Sequence, residues 1–435
     1  MLRTKLYSPY QLDGVKWMLN RELVGKHPGG FLCDEMGLGK TVQTIATMVY
    51  NRLPRTLVVV PTSIVHQWVD EINTHSTLSV SVFNGFANTD VCITPYSTFV
   101  ETSNLYGPAL ATRWDRVILD EAHEVRNSRT KRFKAVIRLW TKIRWILTGT
   151  PVYNSQHDFK SLLMFLTNEL MFRETKNDVI IRRTKADLVK FNASLELPPC
   201  HFEYMEIERP LEETTEYEQL FKYYSDRITD DASANMVILE GFLRLRQCSI
   251  HPSLSNKEYT GGSKKLDILK DSILSHPDEK TLVFCHFKRE MDIIRDMLSP
   301  LKCFRLDGDV DISLRSKIIH RFKRYPTGCV FLIQIKTGGQ GLNLQDATRV
   351  YITSPSWNPA TELQAISRAH RTGQTKPVYV KKLVYLSSID ESIVELQDHK
   401  SLVCADVLND PRVANQLPKM KKTNMVKQLR KFFDV

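Results

Sequence analysis

Short apolar runs alternate with longer helical patterns along this chain, and they do so in two separate series. In the first, Phe31-Leu32-Cys33, Leu57 to Val60, Val80 to Phe83, Val91 to Ile93, Val117 to Leu119 and Trp145 to Leu147 read as buried strands. In the second, Leu282 to Phe284, Val330 to Ile333, Val350 to Ile352 and Val378 to Val380 do the same. A strand that is apolar throughout must be covered on both faces. A run of such strands separated by helices therefore predicts a parallel sheet in an α/β fold. Two series predict two α/β domains. Length agrees, because 435 residues are too many for one core and fit two of roughly 200.

The stretch from 197 to 262 differs. It opens on Leu197-Pro198-Pro199, carries long helical patterns without clear strands, and closes on Gly261-Gly262-Ser263. It is expected to be a helical insertion and linker. The expected boundaries are a first α/β domain over 1–196, the insertion over 197–262, a second domain over 263–400 and a basic tail over 401–435. In the tail, Arg412, Lys419, Lys421, Lys422, Lys427, Arg430 and Lys431 stand against Asp434, which fits a basic helix or a disordered end.

Lys and Arg number 60 against 49 Asp and Glu, a net charge of +11. Such an excess draws polyanions, or serves solubility alone. The eight cysteines are scattered without a C-x-x-C pair, which argues against a disulfide framework and for a reducing compartment. Cys248 and His251 form a C-x-x-H, but no second ligand pair accompanies it, so no zinc site is expected. The N-terminal residues lack the apolar stretch of a signal peptide, and no apolar run approaches the ~20 residues of a membrane span. A membrane is not an expected partner.

Residues 34–41, Asp34-Glu35-Met36-Gly37-Leu38-Gly39-Lys40-Thr41, follow one predicted strand and precede the helical pattern Val42 to Tyr50. Strand, glycine loop, Lys-Thr and helix is the context of a phosphate-binding loop. Gly37 and Gly39 let backbone N–H groups turn inward around phosphates at the positive end of a helix. Lys40 is placed to reach the β- and γ-phosphates, and the Thr41 hydroxyl to ligate Mg²⁺. The strict pattern has glycine where Asp34 stands, and a lone G-x-G-K-T also fits a glycine turn that merely caps a helix. A second motif weighs against that alternative. Asp120-Glu121-Ala122-His123 follows the strand Val117 to Leu119. A carboxylate at a strand's C-terminal end can hold Mg²⁺ through its water shell, which fits Asp120. Glu121, one residue on, is placed to polarise an attacking water.

Phosphoryl transfer also calls for a cation over the γ-phosphate. Gln364-Ala365-Ile366-Ser367-Arg368-Ala369-His370-Arg371 supplies two candidates, Arg368 and Arg371. They are three apart, so on a helix both face the same way. Taken alone, they equally fit two surface arginines.

Taken in order, these segments resemble a family. The chain is similar to the superfamily-two, helicase-like ATPases of the Swi/Snf type. The likeness runs from Tyr10 to about Lys400. It passes through YQLDGVKWM (10–18), DEMGLGKT, VVVPTSIVHQW (58–68), DEAH, LTGTPVYNS (147–155) and IRRTKADL (181–188). It continues through LRLRQCSIHP (243–252), LVFCH (282–286), IKTGGQGLNL (335–344), SWNP (356–359) and QAISRAHRTGQ (364–374). The resemblance implies two RecA-like parallel-sheet domains, ATP and Mg²⁺ as cofactors, and duplex DNA as partner. It also implies translocation without strand separation.

Roles carry over by position. Gln11 resembles the adenine-reading glutamine, and the 34–41 loop with Lys40 and Thr41 the phosphate and Mg²⁺ site. Asp120 and Glu121 resemble the catalytic acids. His123 and Thr148-Gly149-Thr150 resemble elements that couple ATP to DNA. Gly338, Gly339 and Gly341 resemble a loop lining the cleft. Gln364, Arg368 and Arg371 resemble the face that completes the site. Pro61, Thr62, Ser63, Thr337, Trp357 and Asn358 resemble segments that touch the DNA backbone.

DEAH alone also suggests RNA helicases, but IRRTKADL, LRLRQCSIHP and SWNP resemble Swi/Snf elements instead. LRLRQCSIHP and IKTGGQGLNL resemble the branch linked to DNA-damage tolerance and transcription termination, here without cysteine-histidine clusters for a RING insertion. Cys33 stands for a usual alanine, Arg126 for a lysine, and Ser367 for an acid, which is expected to loosen the ordering of Arg368. Two other classes compete: an RNA- or single-strand-directed helicase, and an inactive scaffold, which the presence of Lys40, Glu121 and Arg371 disfavours. DNA-bound proteins or transcription machinery are further expected partners of a monomeric motor. A motor this bare also fits a large DNA virus.

Overall fold

The computed structural model describes residues 1–6, 9–149, 156–167, 176–191, 197–227, 234–338, 342–371 and 373–408. The chain divides into two compact units, one built on residues 1–197 together with the helix end from Leu402, the other on residues 198–401.

In the first unit the strands are β1 (Gly29–Leu32), β2 (Thr56–Val60), β3 (Val80–Val82), β4 (Val91–Pro95), β5 (Arg116–Asp120), β6 (Ile143–Leu147) and β7 (Ile180–Ile181). They form a parallel sheet in the order β3-β4-β2-β5-β6-β1-β7. Side chains alternate between faces along each strand. Phe31, Leu57, Val59, Val117, Leu119 and Ile146 therefore join a core with Phe159 and Phe165. Leu32, Val58, Val60, Ile118, Trp145 and Leu147 join another with Met18, Ile45 and Trp68. Two covered faces explain why these strands read as unbroken apolar runs.

In the second unit the strands are β8 (Cys200–Ile207), β9 (Thr281–Cys285), β10 (Cys303–Leu306), β11 (Val330–Gln334), β12 (Arg349–Ile352) and β13 (Val378–Tyr385). Their parallel order is β10-β11-β9-β12-β13-β8. Leu282, Phe284, Phe331, Ile333, Val350 and Ile352 face one core, and Val283, Cys285, Leu332 and Tyr351 the other.

The expectation that 197–262 carries no strand is corrected here. Cys200 to Ile207 pairs along its whole length with Val378 to Tyr385. As the outermost strand it exposes Cys200, His201, Glu203 and Glu206, so it shows no apolar run. Helices Leu211–Ser225 and Ala234–Cys248 follow. β10 escaped notice for a similar reason, since Arg305 interrupts it and bonds to Asp307 and Asp292. Among the described residues the last helix, Ile389–Leu408, runs past the expected boundary at 400.

Candidate nucleotide site

All parallel strands of a sheet point the same way, so the loops after them gather at one end. In the first unit, the loop after β1 leads into α1, Lys40–Tyr50, through Gly39 at φ 74°. That left-handed value favours glycine, and a Cβ on Gly39 would lie 2.5 Å from Gln11 Nε2. The glutamine expected to read adenine thus rests against the loop, with Tyr10 Oη and Gln11 Nε2 both donating to the Leu38 carbonyl at 3.3 and 3.4 Å. Lys40 Nζ donates to the Asp34 carbonyl at 2.7 Å. A Cβ on Gly149 would sit 3.0 Å from Met36 Cγ and 3.7 Å from Lys40 Nζ, so the segment after β6 passes directly over the loop.

The departure at Asp34 has a structural purpose. Asp34 is fully buried. Its carboxylate accepts from Arg183 Nε (2.9 Å), the Arg183 backbone N–H (3.1 Å) and Gln43 Nε2 (3.0 Å). Arg183 Nη2 also donates to Gln43 Oε1 at 2.7 Å. Around this pair, Cys33 N–H bonds to Ile181 O, and Glu35 N–H to Arg183 O, each at 2.8 Å. Arg182 Nη1 donates to the carbonyls of Cys33 and Gly149 at 3.1 and 3.3 Å. The 181–185 segment is therefore laced to the phosphate loop.

The acidic pair lies at the end of β5. Asp120 Oδ2 accepts from Trp68 Nε1 at 2.8 Å, and Oδ1 from the Glu121 N–H at 2.9 Å. Burial, then the adjacent Glu121, push the Asp120 carboxyl up to about 6, against the pull of Trp68 and of the Lys40 charge. Glu121 is held in the left-handed region at φ 50°, a conformation unusual outside glycine. Its Oε2 lies 3.3 Å from His123 Nδ1. Burial lowers the His123 pKa, but the hydrogen bond and charge of Glu121, with Glu124, outweigh it and raise the value. Thr41 is half-buried at the start of α1. Pro61 precedes, and Thr62 and Ser63 open, the short 3₁₀ turn Thr62–Ile64 after β2.

In the second unit, Gln364 lies on helix Pro359–Ile366. The expectation that Arg368 and Arg371 share a helical face is corrected, because that helix stops at Ile366. Ser367 Oγ turns back to the Gln364 carbonyl at 2.7 Å, and Arg368 and Arg371 lie in the turn beyond. Leu344 N–H bonds to Arg368 O at 3.0 Å, and Gln374 Nε2 to Gln345 O at 2.8 Å, tying that turn to the 344–347 loop. Asn358 caps the helix, accepting from Ala360 N–H at 2.8 Å. Trp357 meets Phe242 edge to face at 5.7 Å. Thr337 is buried in the turn Ile335–Gly338. Thr150, Gly339 and Gly341 lie outside the described residues. Cys248 is buried, and His251 Nδ1 accepts from the Ser253 N–H.

The model of the SNF2-related domain matches residues 10–177, and that of the helicase conserved C-terminal domain matches residues 264–373. This chain belongs to the Swi/Snf family of helicase-like ATPases.

Relatives of this Swi/Snf ATPase include a mouse SWI/SNF-related matrix-associated actin-dependent regulator of chromatin, subfamily A member 1. It is 28% identical over 97% of this chain, which spans 45% of that protein's length. A probable global transactivator of Orgyia pseudotsugata multicapsid polyhedrosis virus is 28% identical over 90% of this chain and 89% of its own length. A DNA repair and recombination protein RAD54-like of Drosophila virilis is 27% identical over 94% of this chain and 64% of its own length. Among solved structures, a Sulfolobus solfataricus SWI2/SNF2 ATPase core in complex with dsDNA aligns at 26% identity, TM-score 0.42, over 99% of this chain and 97% of that one.

Reading the sequence alone passed over Arg182, Arg183, Gln43 and Trp68 of this ATPase. Each lies in or beside one of the family-like segments, but only its spatial partner reveals its part.

Proposed function

We propose that this Swi/Snf ATPase is a translocase on duplex DNA that remodels protein–DNA complexes or DNA structures. ATP enters the loop of the first unit, with Gln11 at the adenine and Lys40 exchanging the Asp34 carbonyl for the β- and γ-phosphates. Glu121, held by its backbone conformation and by His123, orients the attacking water. Arg368 and Arg371 reach the γ-phosphate when the two units close, and hydrolysis reopens them. Closure that assembles the catalytic groups makes the rate depend on bound nucleic acid. Pro61, Thr62, Ser63, Trp357 and neighbouring backbone grip phosphates, which positions the protein without reading sequence.

The Asp120 environment suits Mg²⁺. A half-buried carboxylate beside Glu121 is disfavoured as an anion, and a divalent cation in front of it would restore its charge. Bound by Asp120 and Thr41, Mg²⁺ would neutralise charge on the transferring phosphoryl group.

The observation that carries this reading is the lacing of 181–185 onto the phosphate loop, with Lys40 and the Asp120–Glu121 pair beside it. The names of the chromatin-regulator and RAD54-like relatives support a DNA substrate. The test is steady-state ATP hydrolysis with no nucleic acid, duplex DNA, single-stranded DNA and RNA. Duplex DNA is expected to stimulate most, and Lys40→Ala to abolish hydrolysis. Stimulation by RNA or single strands alone would replace the translocase with a single-strand-directed helicase.

A further inference from the structure

Helix Ile312–Arg324 joins β10 to β11 and carries cations that the proposed cycle does not use. Lys317, His320, Arg321 and Arg324 recur at i, i+3, i+4 and i+7, so they line one helical face. All four are exposed. Ile318, Ile319 and Phe322, on the opposite face, pack into the second unit's core. The helix contains no acidic residue, and none of Lys317, His320, Arg321 and Arg324 enters an ion pair among the described residues.

Two blander readings account for part of this. Cations in the last turn complement the helix dipole, which explains Arg321 and Arg324. That effect fades within a turn and leaves Lys317 and His320 unexplained. A solvated face ordinarily mixes both signs of charge, and this one is of a single sign.

Placement adds a second argument. β10 and β11 are parallel neighbours, so the helix between them runs back against them. Its last turns lie at the N-terminal ends of the strands. Lys280, just before β9, confirms this by donating through Nζ to the Lys323 carbonyl at 2.6 Å. The segments expected to meet ATP and DNA, 335–338 and 353–358, leave the opposite ends of β11 and β12. The basic face is thus at the far pole of the second unit.

We propose that this face is a second docking surface for the phosphodiester backbone of duplex DNA, separate from the segments that carry the ATP-driven contact. The proposal rests on the duplex-DNA reading above. Lys317 to Arg324 spans about 10 Å along the helix, roughly the axial length of three phosphates of one strand. Among the described side chains of this helix, Leu314 is the one exposed large apolar residue. A protein partner would require an apolar centre to the contact, which a single leucine does not provide. A chain engaged at both poles would hold two stretches of duplex, or one curved stretch, at once.

The test compares the full chain with its Lys317→Glu/Arg321→Glu/Arg324→Glu variant and with the charge-keeping Lys317→Arg/Arg321→Lys/Arg324→Lys variant. Equilibrium binding is measured on a short duplex and on one several times longer, across a range of salt. On the long duplex the charge reversal is expected to weaken binding about ten-fold or more and to lower the log K–log salt slope by about 2–3. The short-duplex ATPase stimulation stays at the parent level, and the charge-keeping variant behaves as the parent. An unchanged long-duplex affinity and slope would make this a solvated face. Equal loss on both duplexes together with lost stimulation would place it on the primary track. Competition by polyglutamate as effective as DNA would make it a surface for an acidic protein; each of these overturns the proposal. If the parent is not stimulated by duplex DNA yet its long-duplex binding still depends on these cations, the translocase reading falls and the surface stands.

Discussion

A carboxylate with no exposed surface sits at the root of the phosphate loop, and its charge is met by an arginine 149 positions further along the chain. Removing one member of a buried pair strands the other, at about 3–5 kcal/mol. Arg183→Ala is therefore expected to destabilise the first unit by about that amount in denaturant unfolding, and to raise the KM for ATP. Arg183→Lys should rescue little, because the planar fork that grips Asp34 and Gln43 together is lost. An Arg183→Ala midpoint matching the parent's would mean that the pair does not hold the loop. Lys40, Asp120 and Glu121 were legible in the sequence because phosphate chemistry demands those groups in short, fixed spacings. Arg183 and Trp68 were not. Their partners are remote in sequence, and nothing local marks an arginine that will end against a buried aspartate.

The segment 353–358 after β12 is held residue by residue. Thr353 Oγ1 and Ser354 Oγ donate to Glu290 and to Asp390, the latter at 2.9 Å. The Ser354 carbonyl meets His286 Nε2 at 2.7 Å, and Arg246 donates to the Pro355 carbonyl. Burial, then the Arg246 charge, hold the His286 pKa well below its usual value, so its ring is neutral. Ser356 N–H donates to Glu362 Oε1 at 2.6 Å, and Lys382 Nζ, on β13, pairs with Glu362 Oε2 at 2.5 Å. Gln397 closes the cluster on Lys382 at 3.0 Å. Both charges are fully buried. Lys382→Met and Glu362→Leu should each cost about 3–5 kcal/mol, and the double variant much less than their sum. Additive losses in urea unfolding would show that the two charges do not act as a pair. Here the sequence pattern was misleading at one point. Arg368 and Arg371 have helical spacing, but Ser367 folds onto the Gln364 carbonyl and ends the helix before them. The β8 edge was missed for lack of an apolar run, since a strand covered on one side needs none. The DNA-damage-tolerance and transcription-termination branch suggested by LRLRQCSIHP and IKTGGQGLNL rests on that resemblance alone.

Each unit has its own sheet with a core on either face, so the fragments 1–197 and 198–401 are expected to fold when expressed apart. On the proposed cycle the first fragment keeps Lys40, Asp120 and Glu121 but lacks Arg368 and Arg371. It should bind ATP and hydrolyse it about 10³-fold more slowly than the DNA-stimulated full chain. A fragment as fast as the full chain would remove the arginines from the mechanism. The pairing of β8 with β13 bears on how the molecule is made. Cys200 to Ile207 leaves the ribosome first, yet its strand partner, Val378 to Tyr385, is the last strand of its sheet. At about 5–20 residues per second, β8 waits on the order of ten seconds or more for that partner. The inner strands can pair before then, but the sheet closes last at its oldest strand. Nascent chains interrupted before residue 385 would therefore expose an unpaired edge, and that is where a chaperone would be needed.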